Sequence, residues 1–435
     1  MLNEYSLVDN EQSPTHLRLL FRKLVYKNLA IITNMIEQTL EQLFNSANFT
    51  DAYAKLLAGE KLPKTLQPHQ KSQIFDNLFR GEQYDIILHL VKDKTIETDV
   101  YEFENFDGSI FQTVVRYLKT DEKGLEFFKD FISKFDNLND EVSAQTLLGY
   151  FFEKLVPIEL IQILIDTGCD VNFKTNAEES YIHQVVKNNQ KRFDLNEEQL
   201  HDLQISYLNL LINEGLEVDA QNIVEKTPLI NAVESNKIQF LSFLLDNGAN
   251  PNHLDKTGNS AFFYAVTHSQ SMKMYDIMRE FTLPNFEVVN KNQVTLLFEY
   301  VRMMYNSDTE CTFLIKLLED GADLYQPSVY YSTETTPLDL IAEKPAAILE
   351  AVLETGKVDV NRNDNKGNSL LHKVCAQNVN YEPEKAKEIY RKVKLLIEND
   401  AAITATNDED KTALMLASDD NLKIKTVELL MKNAQ

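Results

Sequence analysis

Lys226-Thr227-Pro228-Leu229-Ile230-Asn231-Ala232, with Leu244-Leu245-Asp246-Asn247-Gly248-Ala249-Asn250-Pro251-Asn252 shortly after it, decides how the whole chain is read. Thr227 is placed to cap a helix, because its hydroxyl can accept a hydrogen bond from an orphan backbone N–H of the first turn. Pro228 then sits at the first helical position, where its missing N–H would be unpaired anyway. Leu244-Leu245 gives a second helix its apolar end, and Gly248 takes the left-handed conformation that stops it. A new opening, Gly258-Asn259-Ser260-Ala261-Phe262, follows, and Ser260 repeats the capping role of Thr227. Such a helical hairpin is too thin to bury its own apolar face, so it must lean on the copies before and after it.

The pattern recurs along the chain. Openings stand at Thr336-Pro337-Leu338-Asp339-Leu340, at Gly367-Asn368-Ser369-Leu370-Leu371-His372, at Lys411-Thr412-Ala413-Leu414-Met415 and at Ser180-Tyr181-Ile182-His183. A weaker one begins at Val294-Thr295-Leu296-Leu297. The step from Thr227 to Ser260 recurs unchanged from Thr336 to Ser369. Closings stand at Gly168-Cys169-Asp170-Val171-Asn172, Gly215-Leu216-Glu217-Val218-Asp219, Gly321-Ala322-Asp323 and Val358-Asp359-Val360-Asn361. Earlier the pattern fades but persists, at Asp107-Gly108-Ser109-Ile110-Phe111 and at Gln145-Thr146-Leu147-Leu148, where Thr146 precedes Ser180 by almost the same step. A degenerate helix pair starts near Ser72, with Ile74 to Phe79, a turn at Arg80-Gly81, then Tyr84 to Val91.

These openings and closings resemble those of the ankyrin repeat, T-P-L-H-x-A and L-L-x-x-G-A-x-x-N, whose period of about 33 residues matches both steps. HEAT and tetratricopeptide repeats lack the Gly-Ala-Asp-Val-Asn closing. The resemblance implies an all-α ankyrin-repeat solenoid of about ten helix pairs between residues 70 and 435, clear over 157–435 and degenerate over 70–156. Residues 1–69 do not match the repeat. There Leu17, Leu19, Leu20, Leu24, Leu29, Ile32, Met35, Ile36 and Leu40 follow helical spacing, with Arg18, Arg22, Lys23 and Lys27 at the start. Two alternatives stand for this segment: an N-terminal helical cap over the first repeat, or a small separate helical module that binds a membrane surface or a partner. Lys423 to Lys432, with Glu428, is expected to give the last unit a polar outer face.

Three spacings exceed the period: Ser180 to Thr227, Val294 to Thr336 and Ser369 to Thr412. The extra residues fall near 187–203, 303–310 and 376–385 and are polar and charged, as loop insertions between the two helices of a repeat should be. The finger after Gly321 is longer too, and carries Tyr325, Tyr330 and Tyr331 on a polar hairpin. Tyrosine brings large contact area at low entropic cost, as interfaces favour. Packing on the adjacent finger is the alternative role for these rings.

Composition narrows function. The chain has 435 residues, 43% of them apolar, and a formal net charge of -24. So acidic a surface repels phosphate backbones, which excludes nucleic acid and favours a protein partner with a basic or mixed-charge face. No stretch is long and apolar enough for a transmembrane segment, and Met1 to Thr15 has no secretory core. Cys169, Cys311 and Cys375 lie too far apart for a disulfide framework or metal-ligand spacing, which fits reduced, buried thiols in the cytoplasm. No G-x-S-x-G, P-loop, H-E-x-x-H or C-x-x-C is present, and the 12 glycines leave little material for a phosphate-cradling loop. His183 and His372 hold the fourth position of the opening, where the resemblance implies bonds to neighbouring backbone. Cys375, three positions after His372, invites a Cys–His nucleophile, but its face points into the core.

The expected activity is therefore non-enzymatic binding of a protein by a monomer without cofactors or metal. In the frame of the opening, the fifth, eighth and ninth positions of the first helix should be exposed. They include Asn231, Glu234, Tyr264, Thr267, His268, Phe298, Val301 and Arg302. With Tyr325, Tyr330 and Tyr331 they form the candidate binding set, and the aromatic members are the expected hot spots. Degenerate arrays of this kind also resemble effectors that intracellular bacteria deliver into a host cell through a specialised secretion system, and the Lys- and Asn-rich, Trp-free composition agrees. Two alternatives are an enzyme with its active site within residues 1–150, the repeats selecting the substrate, and an acidic inhibitor or immunity protein.

Overall fold

The computed structural model describes residues 38–434. The apolar and basic positions between Leu17 and Ile36 lie outside the described residues. Two compact units emerge, one running through Val171 and the other beginning at Asn172.

In the first unit four helix pairs follow one another: Leu40–Asn45 with Phe49–Leu57, Pro68–Arg80 with Tyr84–Lys92, Ile110–Tyr117 with Glu122–Ile132, and Leu147–Glu153 with Ile158–Asp166. The helix Pro68–Arg80 packs on both Leu40–Asn45 and Ile110–Tyr117, so stacking already begins within the segment the repeat pattern left unmatched. Asn77 Nδ2 donates to the Phe44 carbonyl at 3.3 Å across that first junction. Aromatic rings fill the core where the repeat pattern is faint. Phe111, Phe131 and Phe135 meet at centroid distances of 4.9–6.3 Å, and Phe128 stacks on Phe151 at 5.8 Å. Asn139 shows what a closing asparagine does. Its Oδ1 accepts from Asp170 N–H at 2.7 Å and its Nδ2 donates to Gly168 O at 3.0 Å, tying one closing turn to the next.

The second unit is more regular. Its first helices are Tyr181–Lys187, Pro228–Glu234, Ala261–Phe263 continuing as a π-helical turn over Tyr264–His268, Leu296–Met303, Pro337–Glu343, Leu370–Cys375 and Ala413–Ala417. Each packs on the next, and the second helices make a parallel row behind them. The caps at Thr227, Ser260, Thr336 and Thr412 lie where the openings placed them, each accepting a backbone N–H three positions on. Asn361 and Asn252 repeat the clamp of Asn139, Asn361 between Ala402 N–H and Asp400 O, and Asn252 between Asn285 N–H and Leu283 O.

Fingers precede the caps by a fixed geometry. Thr175, Asn222, Asp255, Asn290, Asp364 and Asn407 each take, on a side-chain oxygen, the N–H groups two and four positions on. This local bonding is what short polar side chains offer a turn. The fourth residue of each turn is left-handed: Glu178, Glu225, Gly258, Gln293, Gly367 and Asp410. Glycine is required where the next finger crowds in. A Cβ on Gly367 would stand 2.8 Å from Asp408 N. Fingers are joined by main-chain bonds, from Ile223 N–H to Ala177 O, Lys256 to Val224, Lys291 to Thr257, Val329 to Gln293 and Asp408 to Lys366.

A second stitch was not foreseen. The ammonium groups of Lys237, Lys344, Lys392 and Lys423 donate to the carbonyls of Asn188, Met304, Ala342 and Cys375, each at or next to the C-terminal end of a preceding first helix. These carbonyls have no partner in their own helix and carry the negative end of its dipole. Lys423 is therefore buried and no part of a polar outer face; Lys425 and Lys432 are exposed. Burial pushes the Lys392 ammonium down to about 8.

The three insertions are only partly loops. Residues 197–203 belong to the helix Glu197–Asn213, 308–310 begin Asp308–Glu319, and 383–385 begin Pro383–Glu398. Capping boxes at Asn196/Gln199 and Ser307/Glu310 start two of these helices early. Among the described residues the regular elements are helices and one hairpin, Ser328–Tyr330 paired antiparallel with Thr333–Thr335.

Replacing Lys423 by Met leaves the Cys375 carbonyl buried without a donor and is expected to lower stability by about 1–3 kcal/mol. The same change at exposed Lys425 should leave the urea midpoint unmoved. Gly367→Ala, strained in φ and crowded by Asp408, is expected to cost about 1–3 kcal/mol in the same assay.

Candidate protein-interaction surface

Three groups form along the fingers and first helices of the second unit. The first surrounds Tyr264. Its hydroxyl donates to Asp255 Oδ2 at 2.6 Å, the Lys226 ammonium lies 4.9 Å from its ring, and the His268 ring is 4.9 Å away. Burial pushes Asp255 up, but donors from Thr257, Tyr264 and Asn259 outweigh it and hold the carboxylate below its usual range. Burial and the Asp255 bond raise the Tyr264 phenol. Lys226 also pairs with Glu234 at 2.6 Å.

The second group gathers Phe298, Arg302, Tyr330 and Tyr331. Glu299 holds the Arg302 guanidinium by two bonds, at 2.8 and 2.6 Å, and that guanidinium lies 6.0 Å from the Tyr330 ring. Phe298 meets Tyr330 edge-on at 5.8 Å. Tyr331 stands out at the turn, 86% exposed, with its ring 4.4 Å from that of Tyr330. The third group lies on the far wall of the hairpin. Tyr325 accepts the Asp359 N–H at 2.7 Å and carries the Arg362 guanidinium 4.1 Å from its ring centroid. A cleft of about 270 Å³ opens there, lined among others by Glu334, Asp339, Asp364 and Lys373.

Residues 201–285 match the family model for ankyrin repeats in three copies. Residues 201–285 are ankyrin repeats. Over 189 residues the chain is 25% identical to an ankyrin repeat protein of Acanthamoeba polyphaga mimivirus, a match covering 42% of this chain and 21% of the relative, so the chain spans about a fifth of that protein's length. The ankyrin repeat domain of Bcl-3, a member of the IkappaB protein family, superimposes with a TM-score of 0.44 at 22% identity, covering 57% of this chain and 98% of that one.

The ankyrin frame corrects several expected surface positions. The cap of the fourth opening is Thr295, whose Oγ1 accepts the Phe298 N–H, and not Val294. Phe298 therefore takes the fourth position, that of His183 and His372, and Val301 the seventh; both are fully buried. The exposed positions of that helix are Arg302 and Met303. Asn231 and Tyr264 are buried although they hold the fifth position; the Tyr264 ring lies among Asp255, Lys226 and His268. Thr267 is buried because the π-helical turn widens the helix and turns its hydroxyl back to Phe263 O at 2.7 Å. Glu234, His268, Arg302 and Tyr331 are exposed, and Tyr325 and Tyr330 are half-buried.

Both histidines of the opening bond as the ankyrin resemblance implied. His183 spans Ser180 Oγ at 2.9 Å and Lys226 O at 3.0 Å, and His372 spans Ser369 Oγ at 2.7 Å and Ala405 O at 3.1 Å. With both ring nitrogens engaged, His372 is no base for Cys375, and burial pushes that thiol up to about 12. Among the described residues no helix is long and apolar enough to cross a membrane, and no three metal-binding side chains gather. The sequence did not single out Glu334, Arg362 or Lys373 in the cleft. Nor did it single out Phe193, Tyr305 and Tyr381, three almost fully exposed rings, one in each insertion. An aromatic in an otherwise polar insertion was the available signal.

Phe298→Ala removes a buried ring and is expected to cost about 3–5 kcal/mol. Tyr331→Ala should move stability by less than about 0.5 kcal/mol. Thermal denaturation of the two variants separates core from surface. A thiol reagent should leave Cys375 unmodified in the native protein and react once the chain unfolds, because the thiolate is the nucleophile.

Proposed function

We propose that the chain is a non-enzymatic scaffold that holds a protein partner on the fingers and first helices of residues 172–435. Ankyrin repeats serve as protein-interaction scaffolds, and one observation carries the assignment to this surface. Tyr331 projects on a two-residue turn from a finger whose other rings, Tyr330 and Tyr325, are fixed by Phe298, Arg302 and Asp359. A ring held out by a rigid support loses little entropy on binding, which is what an interface hot spot requires. The partner's face is basic or mixed in charge, matching a net charge of -24.

The experiment retrieves a partner with the immobilised full chain, purifies it and measures association kinetics. Tyr331→Ala and Arg302→Ala are expected to raise dissociation by about tenfold each at unchanged melting temperature, and the association rate to fall steeply between about 50 and 500 mM salt. A partner whose binding ignores both substitutions and the salt would overturn the assignment.

A further inference from the structure

The row of fingers has one break. Five of the six junctions between neighbouring fingers from Thr175 to Lys411 carry a main-chain hydrogen bond. The sixth, between the hairpin 328–335 and the finger 364–368, carries none, and the N–H of Asn365, the counterpart of the donors elsewhere, has no partner among the described residues. The hairpin explains the gap. Tyr331 and Ser332 have φ of 46° and 63°, as a two-residue type I′ turn requires. Tyr330 and Thr333 then form a hydrogen-bonded pair, and Val329 and Glu334 the non-bonded pair next to it, whose main-chain groups point outward. On the Val329 side the outward N–H reaches Gln293 O at 2.9 Å. On the Glu334 side N–H and C=O meet no described group. That strand is exposed at Thr333 and Glu334, and the cleft of about 270 Å³ lies against it.

An unpaired strand edge is a template for another chain. We propose that this break is a strand-addition site, where an extended segment of the partner protein pairs with the main chain of Glu334 and seats a basic side chain in the cleft. The proposal rests on the scaffold assignment and names where and how the partner is held. Charge sets the side chain's sign. Lys373 is already spent on Asp339 at 2.6 Å and Asp364 at 3.1 Å, and the Arg362 guanidinium lies on the Tyr325 ring. The Glu334 carboxylate has no ion-pair partner among the described residues, in a chain of net charge -24. An alternating pattern suits the edge, since every second residue of an added strand faces the cleft.

The test uses the full chain and fluorescein-labelled, end-blocked peptides of sequence Ser-Thr-Val-Thr-Arg-Thr-Val-Thr-Ser, with the central Arg replaced by Glu in a second peptide and alternate amides N-methylated in a third. The Arg peptide is expected to bind in anisotropy titrations, and the Glu and N-methylated peptides at least about tenfold more weakly. Glu334→Pro removes the outward N–H at an edge position that tolerates proline, and should weaken the Arg peptide by a similar factor at unchanged melting temperature. Glu334→Gln should erase the preference for Arg over Glu. Equal binding of the Arg and N-methylated peptides, or no binding of any peptide, would overturn the proposal, and the N-methylated arm decides even if Glu334→Pro fails to fold. A dimer in sedimentation that Glu334→Pro dissolves would make the occupant a second copy of this chain and overturn it as well. If a partner retrieved by the chain binds Glu334→Pro unchanged, the strand site fails while the scaffold assignment stands.

Discussion

Every repeat of the second unit depends on main-chain hydrogen bonds that leave its own hairpin. Helices bury their apolar sides in any stack, but burial is non-directional and does not fix register. The finger bonds, the closing asparagines and the lysines on helix ends do, because each must meet one donor or acceptor in the next copy. An error of one residue would strand several polar groups in the interior, each at about 1–3 kcal/mol. The capping hydroxyl accordingly recurs at Thr227, Ser260, Thr295, Thr336, Ser369 and Thr412, and the finger acceptor at Asn222, Asp255, Asn290, Asp364 and Asn407.

The same constraint gives the surface its use. A finger held by its neighbour on one side and by its own turn on the other cannot relax, so the side chains on its tip are presented in fixed positions. Tyr331 gains its place from the type I′ turn, and the turn from the pairing of Ser328–Tyr330 with Thr333–Thr335. Lengthening one finger therefore does two things at once. It lifts an aromatic ring away from the row, and it interrupts the row's main-chain pairing at Glu334.

Much of this was legible in the sequence, because caps and stops act locally. Thr227, Ser260, Thr336 and Ser369 start helices that pack in series, as their equal spacings require. Positions on helix faces were less legible. A slip of one residue at Val294–Thr295 put Phe298 and Val301 on the surface, since the opening lacks the proline that would mark Thr295 as the cap. Lys423 read as solvent-facing because a lysine near the C-terminus usually is; its role needs the carbonyl of Cys375, 48 residues away. The open edge at Glu334 could not be read at all, since it follows from strand register and from a neighbour's missing bond.

Amide hydrogen exchange, resolved residue by residue in the native protein, tests the central claim most directly. Bonds between fingers should make the amides of Ile223, Lys256, Lys291, Val329 and Asp408 exchange slower by orders of magnitude than those of Glu334 and Asn365. Equal exchange across all seven would mean that fingers are not held to one another, and the account of how the repeats keep register would fail.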